Sequence, residues 1–264
     1  MIVLKTKHGS ATIDSYGGQV LSYVPEGGTD LLWTTSEAHL QAAKAGGKAP
    51  RGGIPVCWPW FGPHPEDKAA PVHGLARIAQ WGVVNAIGDE AILAFATDGS
   101  NPFFPFRAAA ELTVRLTDTA LEVTLTSTNT GTAPFRLTGG LHTYLRVGDV
   151  GRVEILGLEH ATSNKGDHVA GPVTIEGEVD RIYSPVTAPL RVVDHALGRV
   201  IHVANAGCTE AVVWNPGADK PDMPEGSYRE MLCVEPANAR DAPTLQPGER
   251  HTLSTRLWAI TVGG

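Results

Sequence analysis

The sequence predicts an all-β protein: a large antiparallel β-sandwich or barrel with very little helix. Three observations carry this. Apolar and polar residues alternate with period two along 121–127, placing Leu121, Val123 and Leu125 on one face and Glu122, Thr124 and Thr126 on the other. Leu112, Val114 and Leu116 repeat the pattern one strand earlier, and Thr117-Asp118-Thr119 supplies the turn between them. Such runs recur along the whole chain, separated by Gly, Asn, Asp and Pro, while a single segment reads as helix.

Taken in order, strands are expected at 2–5, 11–14, 20–23, 81–86, 91–96, 112–116, 121–127, 135–138, 143–147, 153–156, 191–193, 200–204, 211–214, 231–234 and 252–262. The helix is expected at 37–44, where Ser36 caps it, Glu37 suits its positive N-terminal end and Gly46-Gly47 stops it. No linker, repeat or low-complexity tract interrupts the chain, so residues 1–264 are read as one domain.

With 264 residues, 42% of them hydrophobic and 19% charged, the chain has the means for a sizeable core. A net charge of −7 argues against nucleic acid or a membrane surface as partner. No signal peptide and no apolar run of spanning length is visible. Cys57, Cys208 and Cys233 are odd in number and widely spaced, which argues against a disulfide framework and a zinc knuckle. A reducing, cytoplasmic setting is the simple expectation, with no obligate protein partner.

The most unusual stretch is Arg51-Gly-Gly-Ile-Pro-Val-Cys-Trp-Pro-Trp-Phe-Gly62, followed by His73-Gly-Leu-Ala-Arg77. Its glycines and prolines forbid a helix. Composition leaves two readings: a rigid turn whose tryptophans plug the end of a β-structure, or a shaped loop whose aromatic faces and fixed cations suit a polar, anionic, ring-shaped ligand. His142 follows Gly139-Gly140-Leu141, where the glycines leave room for a ligand; it reads as a half-buried strand histidine or as a general acid or base. Glu235 ends the apolar run Met231-Leu-Cys-Val234, where a carboxylate is costly unless paired with an arginine or used in chemistry. Asp180-Arg181 reads as an exposed loop-to-strand transition, and His64, beside the Trp-rich loop, is a minor candidate.

Several chemistries lack their signatures. There is no G-x-S-x-G elbow, no Walker A or Rossmann glycine run, and no H-x-H or H-E-x-x-H pair. A histidine and a glutamate flanked by arginines remain, an arrangement suited to acid/base work with no metal or redox cofactor.

Six motifs, in order, resemble those of hexose-6-phosphate mutarotases, the glucose-6-phosphate 1-epimerases of the aldose 1-epimerase superfamily. They are the run 51–62, His73-Gly-Leu-Ala-Arg77, Leu141-His-Thr-Tyr144, Glu178-Val-Asp-Arg-Ile-Tyr183, Val213-Trp-Asn-Pro216 and Cys233-Val-Glu235. The resemblance implies a galactose-mutarotase-like β-sandwich with its site on a concave face. By motif it implies His142 as catalytic acid, Glu235 as catalytic base, and Arg51, His73, Arg77 and Asp180 as substrate-binding residues, the arginines at the phosphate. The substrate class so implied is a small sugar phosphate. The base is expected to stay ionised near neutrality with help from a neighbouring cation, and His142 to donate a proton at the same pH. Two features depart from the family pattern. Val72 stands where some members carry Gln, and the segment Glu159–Lys165 lacks a Tyr-x-Asp. The rival readings are a mutarotase for free aldoses such as galactose, and a non-catalytic carbohydrate-binding or regulatory module.

Overall fold

A computed structural model describes residues 1–261, in which every strand pairing is antiparallel. One eight-stranded sheet runs in the order Val153–Leu156, Leu190–Asp194, Arg199–Ala206, Arg250–Thr261, Leu121–Asn129, Arg107–Leu116, Glu90–Asp98, Gly82–Ile87. A second, seven-stranded sheet runs Thr162–Ser163, Val179–Ser184, Glu210–Asn215, Met231–Asn238, Gly139–Leu141, Val56–Cys57, with Tyr144–Arg146 also paired to Met231–Asn238. A three-stranded meander over Ile2–Pro25 and the small pair Phe135–Arg136 with Thr244–Leu245 complete the strands.

The period-two reading explains the eight-stranded sheet directly. Leu121–Asn129 alternates buried and half-buried without a break, and Arg107–Leu116 does nearly the same. One continuous core takes Leu112, Val114, Leu121, Val123, Ile201 and Leu257 from this sheet. From the facing sheet it takes Leu232, Val234, Ala211, Val213 and Tyr183. Each such side chain, fully buried, is worth about 1.5–3 kcal/mol of transfer free energy.

The helix forms at Glu37–Ala45; Ser36 caps it by accepting from the amide of His39, and Gly46 follows its last residue. Some boundaries differ from expectation. The region 135–147 breaks into Phe135–Arg136, which pairs with Thr244–Leu245, and Gly139–Leu141 and Tyr144–Arg146, which pair with Met231–Asn238 in one register and are interrupted opposite Glu235-Pro236, where proline offers no amide donor. Val179–Ser184, which reads as a loop edge, is a full strand paired along its length with Glu210–Asn215. The last residue of the predicted strand 252–262, Val262, lies outside the described residues.

The Trp-rich run resolves its own two readings by dividing them. Trp58 and Trp60 are plugs: both are buried, and their indole N–H groups donate to Ser127 Oγ (3.1 Å) and the Pro71 carbonyl (2.9 Å). Gly53 and Gly74 are required where they stand. Both have positive φ (59° and 84°), and an added Cβ would lie 2.0 Å from the Val20 carbonyl oxygen and 2.1 Å from that of Trp58. Ile54 and Val56 join the core, while Arg51, Phe61 and Gly62 at the ends of the run line a cavity.

Candidate active site

Strand parity builds the site. Along Met231–Asn238 every residue is buried, so both faces of the strand are covered. Leu232 and Val234 point into the sandwich core, while Met231 and Cys233 belong to a separate cluster on the opposite face with Trp33, Tyr144, Met223 and Trp214. Glu235 shares the parity of Cys233 and therefore faces away from the core. Pairing extends this face across four strands. Asp180 stands opposite Trp214, Trp214 opposite Cys233, and Cys233 opposite Tyr144; one step along, Ile182 stands opposite Val212 and Val212 opposite Glu235.

On this face lies a cavity of about 370 Å³, a size suited to a small polar ligand. Its wall contains Arg51, His73, His142, Asp180, Trp214 and Glu235, together with Phe61, Gly62, Pro63, Val72, Asn164, Ile182, Val212 and Ala239. Five of the six residues expected from sequence thus converge on one wall. Arg77 does not line the cavity. It sits in the short 3-10 turn Ala76–Ile78, buried, with its Nε lacking a partner.

His142 Nδ1 and Glu235 Oε1 lie 3.3 Å apart, at 6% and 0% residue exposure. They are close but not aligned as a hydrogen bond, and neither Glu235 oxygen has any hydrogen-bond partner. The His142 ring stacks on Tyr144 at 4.8 Å between centroids, and its backbone amide donates to the Pro55 carbonyl (2.9 Å), which fixes its place. Burial pushes the Glu235 carboxyl well above its ordinary value, with Arg77 pulling the other way. Burial, reinforced by His73, Arg77 and Arg51, holds His142 well below the usual imidazole value. Two opposing influences therefore act on the charge of Glu235. Arg77 favours the ionised form, but desolvation of a fully buried carboxylate is larger.

His73 is shaped by its backbone. It adopts φ 66° and exchanges two hydrogen bonds with Gly62: its amide donates to the Gly62 carbonyl (2.7 Å), and its Nδ1 accepts from the Gly62 amide (3.1 Å). Burial and the two arginines lower its pKa to about 3, so the ring is neutral and its proton resides on Nε2. Arg51 stands over the Trp214 ring at 5.5 Å, with Nε donating to Asp222 (2.8 Å). Asp180 is exposed; Arg181 pairs with Asp167 (3.2 Å) instead and leaves the Asp180 carboxylate facing the cavity.

Some wall residues carried no signal in the sequence. Asn164 is held by exchange with Ile182, donating its amide to the Ile182 carbonyl (2.8 Å) and accepting at Oδ1 from the Ile182 amide (3.0 Å). It comes from the very segment that departs from the family pattern. Val72, the other departure, is 55% exposed at the rim. His64 proves structural. It lies in an adjoining Pro- and Phe-lined groove, with Nε2 against the Phe103 carbonyl (3.0 Å) and Nδ1 accepting from the amides of Glu66 and Asp67.

Among the described residues no helix is long and apolar enough to cross a membrane. Comparison with known proteins agrees with the fold. A candidate glucose-6-phosphate 1-epimerase of Cenchrus ciliaris is 33% identical over 278 aligned positions, covering 95% of this chain and 81% of that protein. A candidate of the same name from Escherichia coli K12 is 31% identical, covering 91% and 84%. The crystal structure of a candidate mutarotase from Salmonella typhimurium superposes with a TM-score of 0.84 at 26% identity, covering 98% of this chain and 90% of that one. A galactose mutarotase-like protein from Lactobacillus casei shares the fold at a TM-score of 0.78 and 17% identity, covering 98% and 100%. The model of the aldose 1-epimerase family matches residues 1–258, and the chain belongs to that family.

Proposed function

We propose that the protein interconverts the α and β anomers of a hexose 6-phosphate, with glucose 6-phosphate the first choice, by acid/base opening and reclosure of the ring. The observation that carries the reading is the unpartnered His142–Glu235 pair, 3.3 Å apart on the wall of a sugar-sized cavity.

The chemistry follows from proton count. Opening a hemiacetal removes a proton from the C1 hydroxyl, breaks the bond from C1 to the ring oxygen and delivers a proton to that oxygen. The aldehyde rotates about C1–C2 and closes on its other face. A pair holding one proton serves both directions. From Glu235 carboxylate and His142 imidazolium, opening leaves the carboxylic acid and neutral imidazole. That product state is the one burial favours for each group, and sugar hydroxyls in the cavity would replace the missing polar partners of the starting state. Closure returns the proton by the same route. Each group contributes about 10²–10⁴ in rate.

The remaining residues bind. His73 offers a fixed Nε2–H to a sugar oxygen. Asp180 offers an acceptor to hydroxyls, and Arg51 a guanidinium to the phosphate, which takes no part in the bond changes. Arg77, which does not line the cavity, acts on the pair by its charge. The engagement of Arg51 by Asp222 favours a second reading, a mutarotase for free aldoses, since it offsets the cation. The three free cysteines support a reducing, cytoplasmic setting.

The test is a coupled assay. Freshly dissolved α-glucose 6-phosphate is followed with a β-specific dehydrogenase, with and without the protein, beside arms with free glucose and galactose. Faster β appearance with the phosphate than with either free sugar supports the proposal. Preference for a free sugar selects the second reading, and no acceleration in any arm refutes both.

A further inference from the structure

Three side chains of different metal-ligating types meet at the site: His142, Cys233 and Glu235, all buried, with one ligand atom from each lying within 4.8 Å of the others. Spacing rules do not find them, because His142 comes from the turn between two short strands and the other two from alternate positions of Met231–Asn238. We propose that this trio is a binding site for a borderline-soft divalent cation of the zinc class, and that occupancy switches the acid/base pair off.

Geometry supports the donor set. Bonds of about 2.0 Å to nitrogen and oxygen and 2.3 Å to sulfur place tetrahedral ligand atoms about 3.3–3.6 Å apart. The His142–Glu235 separation is already 3.3 Å. The Cys233 ligand atom lies within 4.8 Å of the other two. A built site also has ligand atoms free to bind, and His142 Nδ1 and both Glu235 oxygens have no hydrogen-bond partner. The cavity beside His142 and Glu235 provides the entry path and leaves a fourth position open to water.

Charge and softness select the ion. Burial disfavours each lone charge, yet a dication with one thiolate and one carboxylate forms a neutral unit, which a buried site accepts. Binding displaces the thiol proton of Cys233, and any proton on Glu235, to solvent. A sulfur ligand and a single carboxylate suit zinc or cadmium and exclude magnesium or calcium, which demand oxygen ligands. Binding itself is independent of the proposed reaction; inhibition rests on it, because the ion would occupy both proton-carrying groups.

Zinc chloride titrated into the metal-free full chain by calorimetry should bind one equivalent, and Cys233→Ala should weaken this at least about ten-fold. Cadmium titrated into the wild-type chain should produce the ultraviolet absorption of a cadmium–thiolate bond, a readout that needs no variant. In the coupled assay zinc should inhibit the wild type, and Cys233→Ala should turn over normally with at least about ten-fold less sensitivity. No stoichiometric zinc binding, no thiolate band, or a Cys233→Ala chain that binds zinc as tightly as wild type would overturn the site. Stoichiometric, thiolate-dependent binding in a protein without mutarotase activity would retain the site and discard the inhibition.

Discussion

Glu235→Gln removes one proton acceptor and almost nothing else. The side chain is fully buried, keeps its volume in the substitution, and gives up no hydrogen bond, because neither carboxylate oxygen has a partner. The new amide can donate to His142 Nδ1, 3.3 Å from the present Oε1. If Glu235 is the base, kcat should fall by about 10²–10⁴, which is roughly 2.7–5.4 kcal/mol of transition-state stabilisation at about 1.36 kcal/mol per factor of ten. Stability should move the other way. The folded Glu235 carboxyl titrates above its unfolded value of 4.5. The folded state therefore binds more protons once the unfolded carboxyl ionises, and the contribution of this group is lost as pH rises through the raised folded value. The glutamine variant carries no such loss, so its melting temperature at neutral pH should equal or exceed that of wild type, by a margin that grows with pH. Both quantities come from one preparation, by coupled assay and by thermal unfolding over about pH 5 to 8. Near-wild-type kcat would refute the base assignment. A lower melting temperature alongside lost activity would show Glu235 to be a structural residue.

Four further outcomes follow from the same geometry. Arg51→Ala should raise KM for hexose 6-phosphate by roughly 10–100-fold and leave activity on free hexose little changed, since a charge-assisted contact is worth about 1.5–3 kcal/mol; equal effects on both sugars would make the Arg51–Asp222 pair purely structural. Asp180→Ala should weaken phosphorylated and free sugars alike, by about 1–3 kcal/mol, with no change in melting temperature; an unchanged KM removes Asp180 from the site. His73→Asn tolerates the positive φ and keeps an acceptor for the Gly62 amide, but does not titrate. Because folding lowers the His73 pKa from 6.5 to about 3, wild type loses stability as pH falls below 6.5, and the asparagine variant should lose measurably less; parallel pH profiles would show that His73 is not held neutral. Chelation by EDTA should leave turnover unchanged or, where zinc occupies the site, raise it; loss of turnover restored by added metal would refute the metal-free mechanism.

The fold was legible where burial is one-sided. Along Leu121–Asn129 one face meets the core and the other does not, so polarity alternates and the strand declares itself. Met231–Asn238 gives the opposite signal for the same reason: it is covered on both faces, and its first four residues read as one apolar run. Glu235 ends that run, and its place there is what marked it. Val179–Ser184 looked like a loop because the strand spends its polar face, Asp180 included, on the cavity instead of on a core. Motifs located Arg51, His73 and His142 because local backbone demands accompany them. Gly53 and Gly74 are fixed by contacts of about 2 Å, and those glycines are visible in sequence. Trp214 is marked by its motif, whereas Val212 is brought to the wall by cross-strand register and Asn164 by its hydrogen bonds to Ile182, which no local pattern encodes.

The same parity accounts for the energetic oddity of the site. A strand buried on both faces would be most stable with apolar residues throughout, and burying Glu235 and His142 costs free energy in either charged form. The fold tolerates the cost because the neighbours on both strands are locked by other means. Val213 and Val234 lie directly opposite each other and face the core, flanking the row that holds Val212 opposite Glu235, and Tyr144 stacks on His142 from the next strand. The core face holds the strand in place, and the other face is left free to carry groups whose polar needs the protein does not meet. Those unmet needs are what a ligand supplies: sugar hydroxyls in one case, a zinc-class cation in the other. The two occupants compete for the same atoms, so zinc should inhibit competitively with sugar phosphate. A double-reciprocal plot in which zinc changes the intercept but not the slope would place the ion elsewhere.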